Sequence, residues 1–293
     1  MHKSVKEYKE FAVLILSHGR ADRVKTYSTL KKQNYTGKIY IIIDDEDATI
    51  DEYKKRFKDE VIVFNKQAAI DMTDSADALR KRNSVVYARN YAYKIAEQLK
   101  LNYFLVLDDD YLVFYNCFNN HRQYITNRVR IRNLDNYICA MIRFLKHSNI
   151  DCVAMSQCGD YIGGANSLVA RMHTQRRMSR KAMNAFFLRT NRPLKFSGRI
   201  NEDVNMYITE GSVGKVMFTY PRIRLKQMPT QSNKGGLTDI YLDLGTYVKS
   251  FYSILHRPSC VRLMKMGVTN KRIHHKILWK HAVPMIVSEI HKK

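Results

Sequence analysis

Three adjacent carboxylates, Asp108, Asp109 and Asp110, are the residues of this sequence best suited to chemistry. They follow the apolar run 104–107 (FLVL), which has the length and continuity of a buried strand. Like charges this close repel one another unless a cation neutralises them. Along an extended chain successive side chains alternate faces, so Asp108 and Asp110 project together and Asp109 projects the other way. An Asp-x-Asp pair on one face can hold a hard divalent ion, Mg2+ or Mn2+, with positions left over for phosphate oxygens. Asp109 is then placed to orient a neighbour. A second acidic pair, Glu202 and Asp203, opens a stretch suited to a short helix. The helix dipole alone favours acids at such a position.

The elements that must position these groups follow from apolar patterning. Phe11–Leu16 (FAVLIL), residues 38–43 (KIYIII) and residues 61–64 read as strands, with helices expected over 22–33, 51–58 and 84–101. This strand–helix alternation predicts an α/β fold with a parallel, doubly wound sheet. Ligands of such sheets sit outside the carboxyl ends of the strands. Three segments fall there: Ser17, His18, Gly19 and Arg20; Asp44, Asp45, Glu46 and Asp47; and the three aspartates. Residues 67–83 read as a loop. Arg89 and Asn90 lie in the first two turns of the helix that follows. Beyond the aspartates, 112–118 is aromatic and apolar, 121–132 a basic connection, 134–146 a helix, and 152–155 and 216–220 strands.

Charge narrows the partners. The 293 residues carry 50 Lys+Arg against 27 Asp+Glu, a net charge of +23, and this imbalance calls for a polyanion: nucleic acid first, an anionic membrane surface second. Residues 171–199 contain nine Lys/Arg and no acid, including Arg171, Arg176, Arg177, Arg180 and Lys181, and read as a phosphate-backbone surface. A second basic stretch, 222–234, adds Arg222, Arg224, Lys226 and Lys234. Five scattered cysteines without a CxxC pair fit free thiols rather than a disulfide framework. With no apolar leader at the N-terminus and no run of 18 apolar residues, the expectation is a cytoplasmic protein without stable membrane insertion.

An N-terminal α/β unit, Asp-x-Asp after its fourth strand, Ala88-Arg89-Asn90 ahead of it and Asn201-Glu202-Asp203 after it together resemble the nucleotide-sugar glycosyltransferases of the GT-A fold. That fold is Rossmann-like, with a mostly parallel central sheet flanked by helices. The resemblance spans about residues 11–220. It implies a GT-A domain over 1–250, followed by a basic, helical extension over 251–293 packed on it. It also implies a nucleoside diphosphate sugar donor, a UDP-sugar. Ser17, His18, Gly19, Arg20, Asp44 and Asp45 would line the nucleotide pocket, and Arg89 would approach the base or pyrophosphate. Asp108 and Asp110 would hold the metal, with a late histidine, His256 among four, completing its shell. Asp203, paired with Glu202, would take the acceptor proton.

The sequence is also similar to the TET-associated glycosyltransferases, a phage-enriched GT-A family. The similarity lies in LILSHGR-x-DRV, IYIIIDDED, LVLDDD and the NED helix. It implies sugar transfer to 5-hydroxymethylcytosine in DNA, in the host cell cytoplasm for a phage enzyme, with the two basic stretches holding the backbone around the acceptor. Tyr161, Phe186 and Phe187 are aromatic candidates for stacking on the base. The same fold also admits a glycan, lipid or protein acceptor at an anionic membrane, with 251–293 as a cationic tail. The identity of the sugar and the anomeric outcome are both open from the sequence.

Overall fold

The computed structural model of the chain describes residues 4–79, 81–121, 123–161, 163–167, 170, 181–228, 240–242, 245, 247–267, 271–282 and 289. The chain resolves into two compact units interleaved in sequence. The first comprises 1–64, 92–193 and 217–228, and the second 65–91, 194–216 and 229–293.

The first unit is built on one nine-stranded sheet in the order β3-β2-β1-β4-β8-β7-β9-β5-β6. Its strands are β1 (Phe11–Leu16), β2 (Ile39–Asp44), β3 (Val61–Phe64), β4 (Tyr103–Asp108), β5 (Tyr111–Phe118), β6 (Tyr124–Arg130), β7 (Cys152–Gln157), β8 (Phe186–Arg189) and β9 (Met217–Gln227). The four strands β3-β2-β1-β4 run parallel, as strand–helix alternation demands. Antiparallel pairings join β8, β5 and β6 to the rest, so the far half of the sheet is mixed. All six residues of β1 are buried, consistent with its uninterrupted apolar run between two parallel neighbours. This unit also holds α1 (Lys25–Lys32), α2 (Ile50–Phe57), the second half of the helix Val85–Gln98, and α5 (Leu134–His147).

The segment 121–132, read from sequence as a connection, instead holds strand β6 at the edge of the sheet. Its alternation of Thr, Asn, Arg and Val carries no apolar face, so pairing with β5 rather than burial defines it. Phe186 and Phe187 lie fully in the core, Phe187 stacked on Phe11 at 6.1 Å, so both rings are used in packing.

The second unit contains α3 (Lys66–Asp71), the first half of α4 (Val85–Gln98), α6 (Glu202–Ser212), α7 (Val248–His256), a β10–β11 hairpin (Val261–Met266 with Arg272–Ile277) and α8 (Trp279–Ala282). Two expectations are corrected here. Residues 66–71 are helical rather than loop, with the Asn65 side chain capping the Ala68 amide at 2.7 Å. The segment after 250 is not simply helical: α7 crosses that position, and Val261–Met266 and Arg272–Ile277 form antiparallel strands. The β-branched pair Val261 and Ile277 face each other there in register, and Gly267 leaves β10 at a φ of 100°. Trp279 stacks on Tyr207 at 5.7 Å, so the indole is used in packing. Among the described residues no helix is long and apolar enough to cross a membrane, and all five cysteines are free.

Candidate active site

The strand order β2-β1-β4 places a switch point between β1 and β4: the chain winds outward through β2 and β3, then returns to the other side of β1. A crevice outside the carboxyl ends of the strands at such a point is where open α/β sheets take ligands. Leu16 at the end of β1 is in register with Asp108 at the end of β4, so the loop 17–20 and the aspartates emerge side by side.

Backbone and side chains fix these loops tightly. Thr26, buried at the start of α1, donates its hydroxyl to the Asp108 carbonyl at 2.5 Å and accepts from the Tyr111 amide at 2.9 Å. Its own amide donates to the Asp109 carbonyl at 3.0 Å, so one threonine holds the backbone on both sides of the acidic triplet. Farther along the same helix face, Thr29 donates to the Tyr111 carbonyl at 3.0 Å, and Gln33 bonds the Phe114 amide and carbonyl at 2.8 and 2.9 Å. These buried polar residues would pass in sequence for an exposed face.

The three aspartates divide as alternation predicts. Asp109 turns inward and is buried, accepting from Ser17 Oγ at 2.6 Å and from Arg20 Nη1 at 2.9 Å. Burial pushes its pKa up, against the opposing pull of Arg20 and Ser17. Asp108 and Asp110 are half-exposed. Tyr111 Oη donates to Asp108 Oδ2 at 3.3 Å. Asp110 makes no ion pair among the described residues, and burial, then Asp108 and Asp109, push its pKa up to about 7. A carboxyl held that high by burial and by neighbouring carboxylates is in the condition that a bound divalent cation relieves, so the donor set fits a hard metal ion. Among the described residues no three His, Cys, Asp or Glu side chains form a ready cage, so further ligand positions would fall to phosphate oxygens and water.

The neighbouring loop is equally ordered. Gly19 adopts a φ of 64° and donates its amide to Asp47 Oδ2 at 2.7 Å. The opposite oxygen of Asp47 accepts from the Thr49 amide at 2.8 Å and hydroxyl at 2.6 Å. His18 Nδ1 lies 2.8 Å from Asp44 Oδ2, its ring half in solvent, and Asp45 is exposed. Tyr53 Oη, 2.6 Å from Ser17 Oγ, accepts the Arg20 amide at 3.0 Å. Tyr53 thus holds the loop 17–20, a role the sequence does not announce: a tyrosine on the apolar face of α2 looks like ordinary core.

In the second unit Arg89 is buried on α4, and its Nη1 donates to Glu202 Oε1 at 2.6 Å. The Arg89 guanidinium also lies 5.8 Å from the Phe196 ring. Asp203, next along in the first turn of α6, accepts from the Val204 amide at 2.7 Å. Burial, then the charges of Glu202 and Asp203, push the Tyr241 hydroxyl pKa well up. His256 is half-buried, its pKa lowered by burial against Asp74, and its Nε2 has no hydrogen-bond partner.

Of the cations expected at a nucleic-acid backbone, Lys226 is exposed, while Lys181 and Arg222 are half-exposed. Arg224 is buried with its guanidinium 5.3 Å from the Tyr161 ring, which makes it a packing residue. Arg171, Arg176, Arg177, Arg180 and Lys234 lie outside the described residues.

Solved structures similar to the chain include glucosyl-3-phosphoglycerate synthase from Mycobacterium tuberculosis with phosphoglyceric acid. It shares 10% identity over 93% of this chain and 88% of that one, with a TM-score of 0.47. The same synthase with Mn2+, uridine-diphosphate-glucose and phosphoglyceric acid gives 9%, 94%, 92% and 0.44. S. aureus TarS 1–349 with UDP-GlcNAc gives 12%, 84%, 66% and 0.41. No curated protein sequence matches the chain. The TET-associated glycosyltransferase family model matches residues 11–236. With most of its length inside that match, the chain belongs to the TET-associated glycosyltransferase family and is a glycosyltransferase.

Proposed function

We propose that the protein moves a sugar from a UDP-sugar to the hydroxymethyl oxygen of 5-hydroxymethylcytosine in DNA. The observation that carries the donor side is the split of the acidic triplet. Asp109 is spent on Ser17 and Arg20, while Asp108 and Asp110 stand half-exposed at the β1/β4 switch point. Asp108 and Asp110 would hold Mn2+ or Mg2+, which supplies neutralisation for the charge that grows on the departing diphosphate. Ser17, Arg20 and Tyr53 keep Asp109 fixed behind them, and the loop 17–20 with Asp44 and Asp45 forms the wall against the nucleotide.

The transfer balances as a displacement at the anomeric carbon. The bond to the diphosphate oxygen breaks with its electron pair, the hydroxymethyl oxygen forms the new bond, and its proton passes to a carboxylate. Asp203, the aspartate of the second acidic pair at the start of α6, is our choice for that base. The family and the net charge of +23 support DNA as the acceptor. A base in a duplex must leave the stack to reach such a site.

The test is to incubate hydroxymethylcytosine-containing DNA with a panel of nucleotide sugars and Mn2+, then digest it and weigh the nucleosides. A hexose or pentose increment on hydroxymethylcytidine, lost on chelation, is the expected result. DNA unchanged under every donor would overturn the acceptor assignment.

A further inference from the structure

We propose that the edge strand β6 is a docking surface for a nucleic-acid backbone, centred on Arg128 and Arg130; this rests on the reading of DNA as acceptor. Between Asp110 and Asp135 the sequence has no acid and four arginines. Of these, Arg128, Arg130 and Arg132 are exposed, and none makes an ion pair among the described residues. Arg128 and Arg130, two apart on a strand, share one face. With Arg132 just past the strand end they form a row about 13 Å long, at about 3.3 Å of rise per residue. One strand of duplex DNA carries a phosphate about every 3.4 Å along the axis, so the row spans about four phosphates.

The register shows what lies behind that row. Arg130 pairs with Tyr115 on β5, and Tyr115 pairs in turn with Arg224 on β9. Directly paired residues share a face, so this side of the sheet carries arginine, tyrosine and arginine in line. Tyr124, at the start of β6, stacks on Tyr161 at 5.5 Å, and Arg224 lies 5.3 Å from the Tyr161 ring. Arg224 and Tyr161 are buried behind this line, so the exposed β6 arginines with the half-buried Tyr115 and Tyr124 supply the mix of cation and ring that tracks a phosphate backbone. An apolar partner would not call for unpaired arginines on a strand whose only large apolar side chain facing solvent is Val129. Unpaired edge groups also invite strand addition, but three like charges repel a second copy of the same edge.

Anisotropy of a labelled, unmodified 20-base-pair duplex at several salt concentrations tests the surface. R128E/R130E should weaken binding at least tenfold at low salt and flatten the log–log salt slope by about two. K54E/K55E makes the same charge change on exposed α2 positions and should cost less than threefold. Equal losses in both variants, or no loss in either, would overturn the proposal. R128Q/R130Q gives the slope change without charge reversal, should the glutamate variant fold poorly. Wild-type protein that binds phosphatidylglycerol vesicles but no duplex would assign the row to a membrane and also overturn it. Binding that depends on β6 in a protein that glycosylates no DNA would leave this surface standing and remove only the acceptor reading.

Discussion

Two acidic pairs, each at the end of a regular element, meet opposite fates. Asp108 ends a buried strand and Asp110 follows it half-exposed, and burial and the neighbouring aspartates push the pKa of Asp110 up to about 7. Glu202 opens α6 and is matched to a buried arginine at 2.6 Å. A carboxyl such as Asp110, pushed up by burial and by like charges beside it, is ready for a ligand of opposite charge. A carboxylate already paired inside the protein is part of its frame. The difference separates a site that needs its substrate complex to be comfortable from one that is complete without it.

Substitutions should separate the two kinds of acid, the largest effect falling on activity. Asp110→Asn should cut sugar transfer by about 10³-fold or more, the scale of losing a group that stabilises developing charge. Its melting temperature should not fall, because one of three repelling carboxylates is removed. A clear loss of stability would move Asp110 into the frame. Arg89→Met should do the reverse, costing about 3–5 kcal/mol of stability in denaturant titration by stranding Glu202. Adding Glu202→Gln should return part of that loss, and strict additivity would argue against the pair.

Smaller effects probe what holds each pair. Thr26→Val leaves the Asp108 carbonyl and the Tyr111 amide without a buried partner, for about 1–3 kcal/mol, with transfer reduced as the acidic backbone loosens. In the second unit Asp77 bonds Arg199 and Tyr252. Burial raises its pKa, but those hydrogen bonds outweigh it and hold the carboxyl below its ordinary value. Its contribution to stability is therefore present above about pH 4 and lost as pH falls through the lowered value. Asp77→Asn should flatten the melting temperature in that acid range, and an unchanged pH profile would refute the role.

Much of the geometry at the ends of β1 and β4 was legible in sequence because its signals are local. An unbroken apolar run reads as a buried strand, and alternation alone sorted Asp109 from its neighbours, as its bonds to Ser17 and Arg20 bear out. Contacts between distant segments were not legible. Glu202 finds Arg89 across 113 positions, and nothing in either stretch announces it. The face Thr26, Thr29, Gln33 is polar and buried, the reverse of the usual helix pattern, because it serves the backbone of β5. Arg224 and Arg130 look alike in sequence. One is buried against Tyr161 and the other exposed on an edge, since strand order decides which cations reach solvent.

The account stands most directly on calorimetry of UDP binding with and without Mn2+, in the wild-type protein and in Asp110→Asn. It predicts binding that strengthens at least tenfold with Mn2+ in the wild type and loses that dependence in the variant. Equal affinity in all four measurements would contradict a metal held by Asp108 and Asp110 at the donor diphosphate.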